Sequence, residues 1–414
     1  MKPTYKKHKG FDPLGPCGKG RCPICTRNNA FLNLKNTVTS ENFTSDSNSV
    51  FVGHYNYPNV NVGILAPPEI KQDSWLNDAP NYWAQQNYQI PQIVNLRSSL
   101  LNNKQQSNVL NARKKEKIIE LGQELAMASS PAALEVNLKQ KPKFRLQTSD
   151  YSLPMGPSTA LKKIKLTENT KIPRKIDYIV SDSDLKTSEA IKILYKDKFN
   201  ENTLTKLFSI GNLGLKKNRV LVPTRWSITG VDSNIGKFLT NQVKYNPYSG
   251  YLAYFGSYLG NYFLVLMFPD AWQYELFETY VPHYTNFNSN LKYTTDYEPY
   301  EGRKKYVEQT AGGFYASKLA VLEQLTKIKK QASVLVLRFI TDEYTMPLGV
   351  FVVREAVRKT METTPLEFSS RDLMIKYTQN FIKKKYNYDV NKILRKSVLF
   401  NNIKTQMKLK NYFN

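Results

Sequence analysis

Ser333-Val334-Leu335-Val336-Leu337-Arg338-Phe339-Ile340 is the run that decides the fold. It is nearly all apolar, rich in β-branched residues and of strand length, and the polar Thr341-Asp342-Glu343 closes it. Such a run reads as a strand buried on both faces. Residues 251–255 and 262–268 supply partners, a strand pair punctuated by Gly256 and Gly260. Around these the pattern turns helical. Residues 187–199 read as a helix, 272–279 as a short helix bearing Glu275 and Glu278, and Thr310-Ala-Gly-Gly-Phe-Tyr315 as a turn opening a helix to about Lys330. Residues 349–353 read as a further strand, followed by a helix with Arg354, Glu355 and Arg358. From Ser369 onward the chain reads as helical. The expected class is α+β: a mixed sheet body over 176–368 with flanking helices, then a basic helical region over 369–405.

Upstream, residues 37–138 read as a smaller α+β segment. Short strands are expected at 50–52 and 60–65, and a helix at 111–128. Asn111 could cap that helix, and Ile118, Leu121 and Leu125 make its apolar stripe. Residues 139–175 carry ten Lys/Arg against Asp150 and Glu168, with several prolines, and read as a basic linker.

The first 36 residues hold all three cysteines: Cys17-Gly-Lys-Gly-Arg-Cys22-Pro-Ile-Cys25. Cys22-Pro-Ile-Cys25 has the spacing that sets two thiolates on one tetrahedral ion, and Gly18 and Gly20 permit a tight knuckle. One zinc ion is expected on Cys17, Cys22 and Cys25, with His8 as the nearest fourth ligand. Three cysteines within nine residues exclude a disulfide framework.

Lys and Arg number 59 against 34 acids, a net charge of +25 in 414 residues. Such an excess calls for a polyanionic partner. No apolar run reaches membrane-span length, so a soluble, cytoplasmic and nucleoid-associated protein is expected, without a membrane partner. Candidate nucleic-acid contacts are Lys19 and Arg21 in the knuckle, Arg219, Arg225 and Trp226 in the interior, and Arg354 and Arg358 further on. The interior stretch Arg219-Val-Leu-Val-Pro-Thr-Arg-Trp-Ser-Ile-Thr-Gly-Val-Asp232 is the densest in chemistry. Residues 220–222 read as a short buried strand ended by Pro223, with polar and charged groups just beyond it. Arg225 could hold a phosphate, Trp226 could stack on a base, and Asp232 could bind a metal or act as a base. The opposing expectation is a Trp-centred core corner with Arg225 paired to an acid. No Ser-His-Asp pattern, H-E-x-x-H motif or nuclease-like acid run is present. Catalytic candidates are Arg225, Asp232, Glu275 and Tyr315, with Asp342 as a further acid to test.

The chain ends Gln406-Met-Lys-Leu409-Lys-Asn-Tyr412-Phe413-Asn414. Leu409, Tyr412 and Phe413 stand at i, i+3 and i+4, so one helical turn gathers them into an apolar plug beside the Gln406 amide. This 406–414 tail resembles the PCNA-interacting (PIP) box of proteins that dock on the sliding clamp.

The cysteine cluster, the Val-Pro-Thr-Arg-Trp-Ser-Ile-Thr stretch and the terminal plug together resemble the archaeal Nre family of DNA repair proteins (NreA/NreB type). The similarity covers essentially the whole chain. It implies a role in DNA damage repair, a zinc-finger-like N-terminus and binding to the archaeal clamp. It implies no stated catalytic mechanism. The family's finger has four cysteines, and this chain has three with His8 upstream. The expected function is a DNA-binding repair protein recruited by PCNA. The alternatives are a clamp-recruited nuclease or a base- or nucleotide-modifying enzyme, and an RNA-binding or processing protein.

Overall fold

The computed structural model describes residues 22–38, 40–114, 116–144, 154–281 and 293–405. Two compact units divide the chain: Met1–Asn234 with Thr345–Leu348, and Ile235–Tyr344 with Gly349–Asn414. Each is built on one six-stranded mixed sheet, and thirteen α-helices lie among the described residues.

The first unit's strands are β1 (Asn42–Ser47), β2 (Ser49–Val52), β3 (Asn59–Ala66), β4 (Leu101–Asn108), β5 (Ala132–Leu138) and β6 (Ser158–Leu166). Their order is β1-β5-β6-β4-β3-β2, antiparallel except between β4 and β6. The strands expected at 50–52 and 60–65 are β2 and β3. Strand β6 corrects the reading of 139–175 as a linker. Thr159, Leu161 and Ile164 turn inward while Lys162, Lys163 and Lys165 point out. The exposed lysines hid a half-buried strand.

Seven helices accompany this sheet: α1 (Pro23–Thr37), α2 (Pro80–Gln85), α3 (Ile90–Ser98), α4 (Lys117–Met127), α5 (Arg174–Ser181), α6 (Thr187–Lys196) and α7 (Glu201–Ser209). The expected 111–128 helix is really two elements. Val109–Arg113 is a 3-10 turn, and α4 starts after it with Glu116 at its N-cap position. Asn111 caps nothing; its amide donates to Ser107 Oγ at 3.2 Å and to the Glu116 carboxylate. The stripe Ile118, Leu121 and Leu125 is buried as expected.

Helix α8 (Thr224–Val243) carries the chain from the first unit into the second. The strands there are β7 (Tyr251–Tyr258), β8 (Asn261–Phe268), β9 (Gln273–Val281), β10 (Tyr293–Glu298), β11 (Ser333–Thr341) and β12 (Leu366–Phe368), in the order β10-β9-β11-β8-β7-β12. The decisive run is β11. It pairs antiparallel with β8 and parallel with β9. Strands β7 and β8 close through Leu259 and Gly260, both left-handed at φ 50° and 74°, as a two-residue turn that follows the sheet's twist requires.

Two expectations fail here. Residues 272–279 are strand β9, not a helix. Glu275 and Glu278 stand at helical spacing, but Glu278 lies on one face of the sheet and Glu275 on the other, each with its own partners. Residues 349–353 are no strand: α10 (Phe351–Met361) begins there. Its Phe351-Val-Val-Arg-Glu-Ala-Val357 turns are buried, and a short apolar run inside a buried helix has no periodicity to tell it from a strand. Gly256 admits α10 against β7, since a Cβ there would lie 2.7 Å from Thr360 Cα. The expected helix after Gly312-Gly313 is α9 (Ala311–Lys327). The chain then runs through α11 (Arg371–Tyr386), α12 (Asn391–Leu394) and α13 (Val398–Thr405). Leu335, Leu337 and Phe339 of β11, with Leu264 and Leu266 of β8, form one core with Met374, Ile382, Leu394 and Leu399 of those helices.

Candidate nucleic-acid interface

Three segments of the first unit meet where α8 begins. The β2–β3 connection turns at Asn56, held left-handed at φ 61°, and its ends are tied by Asn59 N donating to Asn56 O at 2.8 Å. Val109 N donates to Pro58 O at 2.9 Å, and Leu221 N to Val109 O at 2.8 Å. Val222 N then donates to Ser209 O at 2.8 Å. Residues 220–222 are therefore an extended tie-line rather than the expected strand. Thr224 completes the joint: its Oγ1 accepts from Val52 N at 2.9 Å and lies 2.9 Å from Ser209 Oγ. This stitching fixes the first turn of α8 against the β2–β3 connection.

That joint displays an aromatic and basic corner. Trp226 is 47% exposed, and its ring lies 5.2 Å from that of Tyr57 at 51°. Tyr57 is 53% exposed and Tyr55 73%. Arg225 is exposed beside Trp226 and forms no ion pair among the described residues. Arg113, Lys114, Lys216 and Lys217 are exposed on the segments that flank Val109 and Leu221 of this joint, and the Arg113 guanidinium donates to Lys217 O. The neighbouring acid Glu116 is engaged by Ser107 Oγ at 2.7 Å and by Asn111. Cations beside exposed rings can hold phosphates while the rings stack on bases. The alternative of a buried Trp corner with a paired Arg225 does not describe this site.

The other named residues are placed elsewhere. Arg219 turns inward, Nε donating to Gly214 O at 2.9 Å and Nη2 to Val180 O at 2.7 Å and Asp182 O at 3.1 Å. Burial lowers its pKa, with Asp182 opposing. It staples loops rather than facing a ligand. Arg354 is buried in α10. Arg358 spans two acids, reaching Glu323 at 2.8 and 2.7 Å and Glu355 at 2.8 Å. Asp232 is buried inside α8. Tyr315 is buried in α9, where its hydroxyl accepts from Val307 N at 3.3 Å and burial raises its pKa. Glu275 accepts from Ser397 Oγ and from Val398 N and Leu399 N, both at 3.1 Å, so it caps the start of α13 from β9. Burial pushes its pKa up, against the pull of those three bonds. Asp342 accepts from the Tyr280 hydroxyl at 2.7 Å. Arg225 and Asp232 belong to the first unit, one exposed and one buried, and Glu275 and Tyr315, both buried, to the second.

Cys22 stands at the N-cap position of α1 and Cys25, buried, in its first turn. The two thiols of the C-x-x-C pair thus share one helix start. His8, Cys17, Lys19, Arg21, Gln406, Leu409, Tyr412 and Phe413 lie outside the described residues, and so does His283. No group of three or more His, Cys, Asp or Glu that could hold a metal occurs among the described residues.

The second unit holds buried polar groups that sequence reasoning missed. Lys318 Nζ meets the Glu298 carboxylate at 2.8 and 3.1 Å, and burial lowers its pKa against the pull of Glu298. Asp296 accepts from the backbone N–H groups of Glu308, Gln309 and Thr310 and from Thr310 Oγ1, at 2.8–2.9 Å. Arg338 bridges Glu278 and Asn261 across the sheet. A lone cation inside an apolar run, as in Arg338 of β11, is the signal that could have found them.

Fold and site define a two-unit α+β protein whose first unit presents an aromatic, basic corner. Residues 16–286 match the family model "Archaeal Nre, N-terminal" and residues 298–412 match "Archaeal Nre, C-terminal". The chain belongs to the archaeal Nre family. It is 35% identical over 323 residues to the DNA repair protein NreA of Haloferax volcanii, covering 76% of this chain and 77% of that one. It is 34% identical over 357 residues to NreA of Archaeoglobus fulgidus, covering 86% and 88%. It is 30% identical over 385 residues to the DNA repair protein NreB of the same organism, covering 92% and 94%. No solved structure matches it. Among the described residues no helix is long and apolar enough to cross a membrane.

Proposed function

We propose that this chain is a DNA repair protein that grips DNA through the Arg225–Trp226–Tyr57 corner and is delivered to replication and repair sites by its C-terminal tail. The exposed, rigidly stitched corner carries the reading. Trp226 and Tyr57 stand exposed together, ring beside ring, next to an exposed Arg225 that forms no ion pair among the described residues, and clustered rings with a guanidinium suit contact with bases and phosphates. The net charge of +25 and the names of the NreA and NreB relatives support it. Gln406, Leu409, Tyr412 and Phe413 are the residues that dock on the sliding clamp PCNA. Cys17, Cys22 and Cys25 with His8 hold one structural zinc, and the shared helix start of Cys22 and Cys25 fits two ligands of that site. Lys19 and Arg21 then lie between zinc ligands and add to the phosphate grip. Its place in the cell is the nucleoid.

The enzyme reading, through the region from Arg225 to Asp232, has less support, because Asp232 is buried rather than facing the corner. The decisive test is repair itself. A strain lacking the gene is challenged with DNA-damaging agents and complemented with wild type or with Arg225→Ala/Trp226→Ala. Rescue by wild type but not by the double variant is expected. A strain as resistant as its parent defeats the repair reading, and full rescue by the variant defeats the corner. The tail is tested by calorimetric titration with the archaeal clamp: micromolar binding should vanish in Tyr412→Ala/Phe413→Ala. Metal analysis should return about one zinc per chain, lost in Cys22→Ser/Cys25→Ser. Tighter binding to structured RNA than to DNA, with no clamp affinity, would move the protein to RNA processing.

A further inference from the structure

The second unit carries four exposed tyrosines on two loops, and no part of the proposed DNA grip uses them. Tyr245 is 91% exposed, and Tyr248, Tyr300 and Tyr306 are exposed as well. Both loops are pinned from beneath. Buried Gln331 fixes the first: its Nε2 donates to Lys244 O at 3.0 Å and Asn246 O at 3.2 Å, and its backbone N to Pro247 O at 2.9 Å. Gln331 Oε1 in turn accepts from Trp272 N at 2.9 Å, which anchors the loop to the sheet. Arg303 fixes the second, donating to Tyr297 O at 2.6 Å and to Tyr306 O at 3.3 Å while facing Asp296 at 3.7 Å. Lys244 joins the two, its Nζ 4.3 Å from the Tyr300 ring centroid.

We infer that these loops form a second nucleic-acid face, one that takes unpaired bases of single-stranded DNA. The inference rests on the reading of the chain as a DNA-binding protein. Tyr306 packs on Tyr315 with ring centroids 5.4 Å apart and Tyr300 keeps one side for Lys244, so each of these two rings is backed from one side. Exposed rings held in this way are stacking platforms, and every base has a face to offer once it leaves the duplex. A duplex keeps its bases stacked internally and has no use for such rings. Lys304, Lys305 and Lys329 stand exposed on these loops or beside Gln331, against the exposed acids Glu301 and Glu308, so the surface suits a phosphate backbone. Lys244 over Tyr300 already shows the ring accepting a cation from one side.

The test is fluorescence anisotropy of the full chain with labelled oligo(dT), a duplex of equal length and oligo(rU). Wild type should bind oligo(dT), and Tyr245→Ala/Tyr300→Ala should weaken that about 25-fold while duplex affinity stays within about twofold. Lys304→Ala/Lys305→Ala should lower the slope of log affinity against log salt by about 1.4. The substituted side chains are exposed, so melting temperatures should match wild type and exclude misfolding as the cause. Unchanged oligo(dT) affinity in the tyrosine variant, with loss in Arg225→Ala/Trp226→Ala, overturns the second face and leaves the first standing. Tighter retention of oligo(rU) than of oligo(dT) overturns the assignment to DNA. No binding of either DNA by wild type overturns both faces together.

Discussion

Replacing Glu275 separates a structural acid from a catalytic one. Its carboxylate sits on β9, is 1% exposed, and receives Ser397 Oγ, Val398 N and Leu399 N. Ser397 Oγ itself accepts from Phe400 N at 2.9 Å, so the serine caps α13 and the glutamate takes the donors the serine cannot reach. Glu275→Ala strands two backbone N–H groups at a buried helix start. Each costs about 1–3 kcal/mol, and removing the desolvated carboxylate returns part of that. A net loss of about 3 kcal/mol follows, a fall of about 6–12 °C in the melting temperature of a unit this size. Glu275→Gln keeps one acceptor oxygen and the packing, and should lose about half as much. Differential scanning calorimetry reads the stability, and anisotropy at 20 °C reads DNA binding, which should not change. A glutamine variant that melts like wild type but loses DNA binding or turnover would refute the capping role and revive Glu275 as a functional acid.

Other residues give narrower tests. Asp296 is buried, which pushes its pKa up, but its three backbone bonds and the Thr310 hydroxyl outweigh this and hold the pKa below the ordinary aspartate range. A depressed folded pKa adds stability above the unfolded value of about 3.9 and loses it as pH falls through the folded one. Thermal melts of Asp296→Asn should therefore sit below wild type at pH 7, begin to converge on it as pH falls below about 4, and meet it only below the depressed folded pKa. Arg358→Ala should cost about 2 kcal/mol in urea denaturation by removing its ion pairs with Glu323 and Glu355, and DNA affinity should stay as it was. Weakened DNA binding without lost stability would return Arg358 to the interface. Gly256→Ala places a Cβ 2.7 Å from Thr360 Cα and should cost about 2 kcal/mol, read as a lowered melting temperature.

The centre of the second sheet was legible because β11, β7 and β8 are apolar runs with clear turn punctuation. Strand β9 was not, because both its faces are buried and each carries an acid that a partner satisfies; Glu275 and Glu278 at helical spacing then mimic a helix. Strand β6 was hidden by its outward lysines, and α10 by a Val-Val-Arg start no longer than a strand. For the corner, Arg225 and Trp226 were legible as chemistry. Tyr57 was not, since it comes from a connection more than 160 residues earlier and is brought to Trp226 by long-range contacts such as Val52 with Thr224, Pro58 with Val109 and Val109 with Leu221. Arg219 and Arg358 look like ligand-binding arginines in sequence, and only geometry shows their guanidinium groups engaged inside the protein.

The measurement that bears most directly on the DNA grip is a salt series of duplex-DNA anisotropy titrations on wild type and Arg225→Ala/Trp226→Ala. The double variant should bind about tenfold more weakly at moderate salt through the lost Arg225 phosphate contact, with the slope of log affinity against log salt lower by about 0.9. Equal affinity and equal slope in the two proteins would contradict this grip and put the DNA-binding surface elsewhere on the chain.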